Sequence, residues 1–261
     1  MTTLLRRPAW RRARDFERAW LATHINEERR TAGLLGEIRE AVFGAQDGLI
    51  STLGVVMTVT GATHQSFPVL VAGLASALAG IFSMSAGEYM SSKSQREIFE
   101  AQIAAEETEV DERPAEAEAE VAYLLEEEGL ERERALRVAA EIASNKTVLL
   151  KTMVEKELLL TPGDGGSPLR GAIVMATAFG LAALVPILPF VVFSADVAQY
   201  AAVVLTTVAL FAMGVIKSRW TRRHWLPSGL EIVALGALAG VAGYLFGSVL
   251  PGLLGVAGIA G

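Results

Sequence analysis

Five runs of apolar residues divide this chain, and polar stretches of very different lengths separate them. The runs cover approximately residues 41–61, 68–92, 169–193, 197–216 and 229–250. About 20 helical residues cross the hydrocarbon core of a bilayer, so each run is long enough to span it as a helix. The pattern therefore predicts an all-α integral membrane protein with five transmembrane helices.

The connections between these runs differ in length and predict how the spans are joined. Residues 62–67 and 194–196 are short, so each is predicted to form a tight hairpin between neighbouring spans. Residues 93–168 are charged and lack a run of spanning length, which predicts a helical insert between spans 2 and 3. The stretch TPGDGGSP at 161–168 is expected to close the insert as a Gly/Pro-rich linker.

The insert itself has the spacing and capping residues of several helices. Span 2 is predicted to continue without a break through 94–110, and Pro114 then starts a second helix that Gly129 terminates. Asn145 is a predicted N-cap for a last helix over 146–160. The helix between them is expected to have an apolar face made of Leu136, Ala139, Ala140 and Ala143.

Lysine and arginine placement predicts the orientation in the membrane. Six arginines lie in the first twenty residues, and the connection 217–225 is also basic, whereas the two hairpins and the C-terminus contain no Lys or Arg. With five spans, the basic stretches and the insert fall on one side, which we assign to the cytoplasm. The predicted organisation is a basic cytoplasmic arm at 1–38, spans 1 and 2 at 39–92, an acidic helical cytoplasmic insert at 93–168 and spans 3 to 5 at 169–261.

Composition agrees with this organisation and excludes several classes of chemistry. Of the 261 residues, 52% are hydrophobic, whereas apolar residues in soluble domains usually stay just under half. There is no cysteine, so disulfides, thiolate metal sites and cysteine nucleophiles are excluded. The N-terminal arginines are followed by more charge instead of an apolar core, which is not the pattern of a secretory signal.

Asp47 is the most informative single residue, because it lies well inside the first apolar run. A charged side chain at mid-membrane costs roughly 2.5–3.5 kcal/mol on insertion scales and is a functional candidate by default. Ser51, Gly54 and Thr58 follow it at helical spacing and form one small, polar stripe. The alternative is that Asp47 pairs with a neighbouring helix and only fixes the packing.

Span 2 supplies a second pair of functional candidates. Met84 and Glu88 are four residues apart, so they lie on one face of a helix. A thioether and two carboxylates suit a divalent transition metal better than Mg²⁺ or Ca²⁺, which prefer oxygen ligands only. Met84 alone would indicate core filling, and only its combination with Asp47 and Glu88 favours a transport pathway.

The insert is rich in carboxylates at helical spacing, where like charges repel one another. A bound cation would relieve that repulsion, although a solvated acidic face is the alternative for any single glutamate. Met153 and Glu157 share one face of the last insert helix. The acidic candidates are Glu97, Glu100, Glu106, Glu109, Glu116, Glu118 and Glu120.

The positions of the histidines and glycines do not support a di-iron site or a nucleotide-binding site. Ferritin-like di-iron sites use Glu-x-x-His pairs, and His24, His64 and His224 are not placed that way. No Walker-type phosphate loop occurs, so ATP-driven pumping has no support. No catalytic nucleophile set can be argued either, and we predict neither enzymatic activity nor a nucleic-acid partner.

Two motifs carry a resemblance to a known family, the vacuolar iron transporter family of Fe²⁺/Mn²⁺ carriers. They are FGAQDGLISTLGVV in span 1 and ALAGIFSMSAGEYMSSKSQRE in span 2, and the five-span layout with one acidic insert matches as well. The resemblance covers nearly everything from about His24 to the C-terminus. It implies a homodimer, a path between the two copies lined by spans 1 and 2, and proton-coupled antiport with metal leaving the cytoplasm.

The resemblance also implies roles for individual residues. Asp47 matches the family's essential aspartate and Met84 its span 2 methionine. Ala117 falls where an insert glutamate is expected, and Glu116 or Glu118 could substitute for it. The insert positions that match metal-binding positions of the family are Glu106, Glu109, Glu120, Met153 and Glu157.

Three further positions depart from the family pattern. Gln46 stands where Asn is usual, Ser76 where eukaryotic members have a membrane glutamate, and Val154 where a second methionine can occur. These departures bear on metal preference more than on transport.

The sequence therefore predicts a transporter that exports Fe²⁺ and/or Mn²⁺ in exchange for H⁺ and needs no prosthetic group. The alternative is a membrane-anchored metal sensor or buffer whose acidic insert binds metal without transport. An intramembrane enzyme ranks third, since no catalytic set is present. The Ala-, Gly- and Arg-rich composition suggests a bacterial plasma membrane with the N-terminus in the cytoplasm.

Overall fold

The computed structural model describes residues 17–158 and 167–253. Residues 1–16 of the predicted basic arm and residues 161–166 of the linker lie outside the described residues. Every regular element in the described part of the chain is a helix. The helices are α1 (Arg18–Thr63), α2 (Ser66–Glu112), α3 (Pro114–Glu127), α4 (Arg132–Ala143), α5 (Lys146–Lys156), α6 (Pro168–Ile187), α7 (Pro189–Val192), α8 (Ala195–Thr221) and α9 (Trp225–Leu253).

Five of these helices, α1, α2, α6, α8 and α9, are long and apolar enough to cross a membrane. This confirms the predicted all-α membrane protein with five spans. The two short connections are tight, as predicted: α1 ends at Thr63 and α2 begins at Ser66, with His64 between them at φ 52°. Likewise α7 ends at Val192 and α8 begins at Ala195.

Two spans differ from their predicted bounds. The first helix begins at Arg18 instead of near residue 41 and runs for 46 residues, because no proline interrupts the charged stretch that precedes the apolar run. The third run is divided: α6 ends at Ile187 and α7 begins at Pro189. Pro189 has no amide hydrogen to continue the ladder of α6, so a new short helix starts there.

The chain divides into two compact units, one up to Arg39 and one from Glu40 onwards. In the first unit, the Trp20 and His24 rings of α1 stack at a centroid distance of 4.8 Å. His24 Nε2 also lies 3.4 Å from a carboxylate oxygen of Glu28, one turn further along. In the described residues of this unit, these three side chains therefore contact one another along one face of α1.

In the second unit, glycines of α1 and α9 allow close approach between helices. A Cβ on Gly48 of α1 would lie 2.5 Å from the carbonyl oxygen of Phe179 in α6. On another side of α1, a Cβ on Gly247 of α9 would overlap the carbonyl of Thr58. Small residues at such positions let membrane helices pack backbone to backbone. The helix faces that carry Gly48 and Thr58 are thus fixed by contacts within one chain.

The insert is a small helical domain with its own apolar core. As predicted, α2 continues unbroken to Glu112. Asn145 caps α5 by accepting bonds from the amides of Thr147 and Val148. Gly129 ends α3 with φ +100°, which confirms its predicted capping role. The buried core comprises Val110, Ala117, Val121, Ala122, Leu125, Ala135, Ala139, Leu149 and Met153.

The apolar face predicted for α4 is right in part: Ala139 and Ala143 pack in or against the core, whereas Leu136 and Ala140 are exposed. Leu136 is 45% exposed, whereas Ala135 and Ala139 are fully buried. The helix is short and its apolar residues are mostly alanines, so periodicity alone did not distinguish position 135 from 136.

Lys146 of α5 also lies 2.6 Å from Asp111 of α2, which ties the last insert helix to the second span.

Candidate metal site of the insert and polar groups of the spans

The corner between α2 and α3 brings three carboxylates together. Glu109 lies in the last turn of α2, and Glu116 and Glu120 lie one turn apart on α3. Pro114 starts α3 and turns the chain, since proline is favoured in the first helical turn and cannot continue a preceding helix. One oxygen from each of the three side chains lies within 4.8 Å of the others. This spacing is suitable for carboxylates that share one cation.

Two more predicted ligands lie close enough to act on this cluster. Glu106, one turn before Glu109, and Glu157, just after α5, both raise the pKa of Glu120 by charge repulsion. Among the described residues, the Oε2 atoms of Glu106 and Glu120 are buried without a hydrogen-bond partner. A buried carboxylate oxygen without a donor is costly. These five glutamates are hereafter called the carboxylate cluster: Glu106, Glu109, Glu116, Glu120 and Glu157.

The protonation of Glu120 reflects its surroundings. Burial, followed by repulsion from the other four glutamates, raises the pKa of Glu120 from 4.5 to about 7. Without a bound cation the carboxyl is therefore about half protonated at pH 7. A divalent ion bound here would displace that proton, because a metal binds the deprotonated form.

Arg113 is the cation that the structure places at the cluster. Its guanidinium nitrogens lie 3.3 Å from Glu109 Oε2 and 2.9 Å from Glu116 Oε2. The neighbouring carboxylates raise the pKa of the arginine further, so it is always charged. Arg113 was not among the residues singled out from the sequence. The available signal was a lone cation at the corner between two acidic helices.

A cleft of about 330 Å³ opens beside the cluster. Its lining includes Glu116, Glu120 and Glu157, together with the exposed ring of Tyr123. The Tyr123 hydroxyl donates a hydrogen bond of 2.9 Å to Glu127, so the hydroxyl is directed to a glutamate outside the cluster. The carboxylates are thus accessible from solvent on this side.

Two insert positions singled out from the sequence lie in the apolar core. Met153 is fully buried and packs there. Ala117, which stands where a glutamate is expected, is also fully buried in this core. Of the two residues proposed to replace a glutamate there, Glu116 belongs to the close group of three and Glu118 does not.

In the first span, Asp47 lies half-buried on α1 beside polar groups that bond to their own helix. Ser51 donates its hydroxyl to the backbone carbonyl of Asp47 at 2.6 Å, and Thr58 donates to that of Gly54 at 2.7 Å. Such bonds to the preceding turn satisfy the hydroxyls locally. In the described residues, neither hydroxyl is committed to the Asp47 carboxylate.

In the second span, Met84 and Glu88 have separate partners. Met84 packs against the apolar cluster that contains Phe179 of α6. Glu88 accepts a hydrogen bond of 2.6 Å from the hydroxyl of Ser92. Among the described residues, neither Glu88 nor Asp47 joins a group of three acidic or histidine side chains close enough to share an ion.

Comparisons with known proteins give one consistent result. The model of the VIT family matches residues 38–248. The chain is 32% identical over 235 residues to vacuolar iron transporter 1 of Arabidopsis thaliana, covering 90% of this chain and 93% of that protein. It is 33% identical over 231 residues to vacuolar iron transporter 2 of Oryza sativa subsp. japonica, covering 88% and 93%.

Proposed function

This chain belongs to the VIT family, and from that membership we propose that it transports iron, and Mn²⁺ as a second substrate, out of the cytoplasm in exchange for protons. The observation that carries the proposal is the family match over residues 38–248. That stretch includes the Asp47 turn of α1 and the whole carboxylate cluster. We assign these two groups successive tasks.

The first task, collecting metal, belongs to the carboxylate cluster. Glu109, Glu116 and Glu120 present oxygens within 4.8 Å of one another, next to an open cleft. Carboxylate oxygens bind Fe²⁺ and Mn²⁺ as hard, divalent ions. The buried Oε2 of Glu120 lacks a hydrogen-bond partner among the described residues, and a cation would supply that partner. Metal collected here would be concentrated at the end of α2, which continues into the second span.

The second task, passing metal and proton across the membrane, belongs to Asp47 with Met84 and Glu88. A carboxylate can bind a metal ion only when it has lost its proton, so the two ions compete for Asp47. Competition for one site couples the movements of the two ions in opposite directions if the site faces the two sides of the membrane in turn and changes sides only when it is occupied. Ser92, which donates to Glu88, would orient that carboxylate on the same face of α2 as Met84.

The pathway is proposed to lie between two copies of the chain. Within one chain, only 17% of the most apolar 18-residue stretch of α2 is buried, against 44% of the corresponding stretch of α6. A large face of α2 is therefore left for lipid or for a second copy, as the proposed dimer requires. We assign the insert and the α8–α9 connection to the cytoplasm from the number of spans and the placement of Lys and Arg along the sequence.

Metal uptake into proteoliposomes with an acidic lumen tests this proposal, with Fe²⁺, Mn²⁺ and Zn²⁺ supplied outside. We expect Fe²⁺ and Mn²⁺ to accumulate faster than in protein-free vesicles. The double variant Glu116→Gln with Glu120→Gln should need more metal for half-maximal uptake and still transport at saturation. Its matched control is Glu133→Gln with Glu141→Gln, which removes two exposed insert charges outside the cluster.

The same experiment separates transport from the alternative of a metal sensor or buffer. A sensor binds metal in the insert and gives no uptake above that of empty vesicles. Tight Mn²⁺ binding by the full chain without any flux would therefore overturn the transport proposal and favour the sensor.

A further inference from the structure

The connection between α8 and α9 carries a dense group of cations. Lys217, Arg219, Arg222 and Arg223 lie within seven positions, and residues 219–227 are all exposed. In the part of the chain that the structure describes, none of the four forms an ion pair. We call residues 217–225 the α8–α9 loop.

Acidic residues that could neutralise this loop are absent from its sequence surroundings. No Asp or Glu occurs between Asp196 and Glu231. Several exposed bases of the insert are different, because each pairs with a carboxylate: Arg96 lies 2.8 Å from Glu100, for example. Among the described residues, the positive charge of the α8–α9 loop therefore has no carboxylate partner and is available to an anionic ligand.

Two tryptophans place this charge at the level of the membrane surface. Trp220 and Trp225 are 50% and 49% exposed, and both flank the arginine pair. The Trp225 ring is held edge-on against Phe211 of α8 at 6.1 Å. Exposed tryptophans at the ends of spanning helices typically lie among lipid headgroups. With 27 residues, α8 is about 40 Å long, so its last turns extend beyond a hydrocarbon core of about 30 Å.

We propose that the α8–α9 loop is a binding surface for anionic phospholipid headgroups. Arg222 and Arg223 bind the phosphate, since guanidinium pairs with phosphate through two parallel hydrogen bonds. Trp220 and Trp225 lie beside the lipid at the depth of the glycerol backbone, and Lys217 and Arg219 supply further attraction. A loop that served only to set topology during insertion would need the charges but not the two exposed tryptophans. The inference is independent of the ion that the protein transports.

Lipid titration of the purified full chain tests this surface. The thermal unfolding midpoint is followed as phosphatidylglycerol or phosphatidylcholine is added to the detergent-solubilised protein, and native mass spectrometry counts the lipids retained. We expect phosphatidylglycerol to stabilise the protein and phosphatidylcholine to have little effect. The double variant Arg222→Gln with Arg223→Gln should bind phosphatidylglycerol roughly 30-fold more weakly, from about fivefold for each arginine.

Two matched variants control for charge and for folding. Arg132→Gln with Arg134→Gln removes two exposed insert arginines and should bind phosphatidylglycerol like the wild type. Arg222→Lys with Arg223→Lys keeps the charge of the loop but not the paired hydrogen bonds, so it should retain part of the binding. Three results would each overturn the proposal: equal loss in the insert variant, no loss in Arg222→Gln with Arg223→Gln, or equal stabilisation by inorganic phosphate.

Discussion

Arg113 has an unusual position, because its guanidinium contacts two carboxylates of a proposed metal site at 3.3 and 2.9 Å. An arginine there neutralises part of the cluster charge when no metal is bound. An incoming divalent ion must then compete with a cation that is tethered to the protein. The arginine would thereby set the metal concentration at which the cluster fills.

Replacing this arginine should tighten metal binding. We expect Arg113→Gln to bind Mn²⁺ about 2- to 10-fold more tightly, since the ion no longer competes with the guanidinium for Glu109 and Glu116. Mn²⁺ titration of the full chain at about pH 8 measures this, because Glu120, with a pKa of about 7, is then deprotonated. Arg134→Gln is the control, since Arg134 pairs only loosely with Glu131 at 3.7 Å. Unchanged or weaker binding by Arg113→Gln would show that the arginine only supports the corner structurally.

Glu120 gives the cluster a pH dependence with a definite sign. Its pKa is raised from 4.5 to about 7, so the metal-free folded chain binds more protons than the unfolded chain between these values. This contribution makes the metal-free protein less stable as pH rises towards 7. Metal binding has the opposite dependence, because the ion requires the deprotonated carboxylate.

Mn²⁺ affinity should therefore fall as pH is lowered through about 7. Glu120→Gln should bind more weakly at high pH and lose much of this dependence, whereas Glu133→Gln should behave like the wild type. Calorimetric titration in buffers of different ionisation enthalpy measures the affinity and the protons released together. An affinity that stays constant across this pH range would contradict the assigned role of Glu120.

At the scale of single residues, the sequence predicted every member of the carboxylate cluster as a candidate ligand: Glu106, Glu109, Glu116, Glu120 and Glu157. The sequence did not predict which glutamates meet, because that depends on the angle between α2 and α3 at Pro114. It also did not identify Arg113, whose role is visible only from its distances to both helices.

At the scale of helices, the membrane part depends on glycines at close crossings. Gly247 of α9 faces the backbone of Thr58 on α1 so closely that a Cβ would overlap its carbonyl. Gly87 of α2 is the opposite case, because a Cβ there would meet no other described residue within 4 Å. The two glycines form a matched pair for testing whether the α1–α9 crossing limits stability.

Gly247→Ala should lower the thermal unfolding midpoint of the full chain, because overpacking costs about 1–3 kcal/mol. Gly87→Ala should leave the midpoint unchanged or raise it slightly, since alanine favours a helix over glycine by up to about 1 kcal/mol. Unfolding in detergent, followed by circular dichroism, compares the two variants. If both alanine variants unfold like the wild type, the α1–α9 contact is looser than described.

The sequence predicts where helices occur more readily than which helices contact one another. Run length and apolar content predicted the five spans, and Asn145 and Gly129 correctly marked a start and an end in the insert. The upstream extension of α1 to Arg18 was missed because charge was taken as the end of the span, although charged residues also form helices. The approach of Gly48 to Phe179 depends on which helices are neighbours, and periodicity does not supply that information.

At the scale of the whole molecule, two acidic sites are linked by α2. The carboxylate cluster lies at one end of this 47-residue helix, and Met84 and Glu88 lie nearer its middle. Because α2 is unbroken, metal collected in the insert would be held at a fixed distance from the end of the span. We therefore predict that the cluster affects the apparent affinity for metal, while Asp47 controls whether metal and protons cross.

The most direct test of this division of tasks is a parallel recording of metal and proton movement in proteoliposomes, with wild-type chain, Asp47→Asn and the control Asp196→Asn. Asp196 lies in the first turn of α8, outside the proposed pathway. We predict that wild type and Asp196→Asn take up Fe²⁺ or Mn²⁺ while the acidic lumen loses protons, and that Asp47→Asn moves neither ion. Metal uptake without proton movement in the wild type, or undiminished exchange in Asp47→Asn, would contradict this assignment.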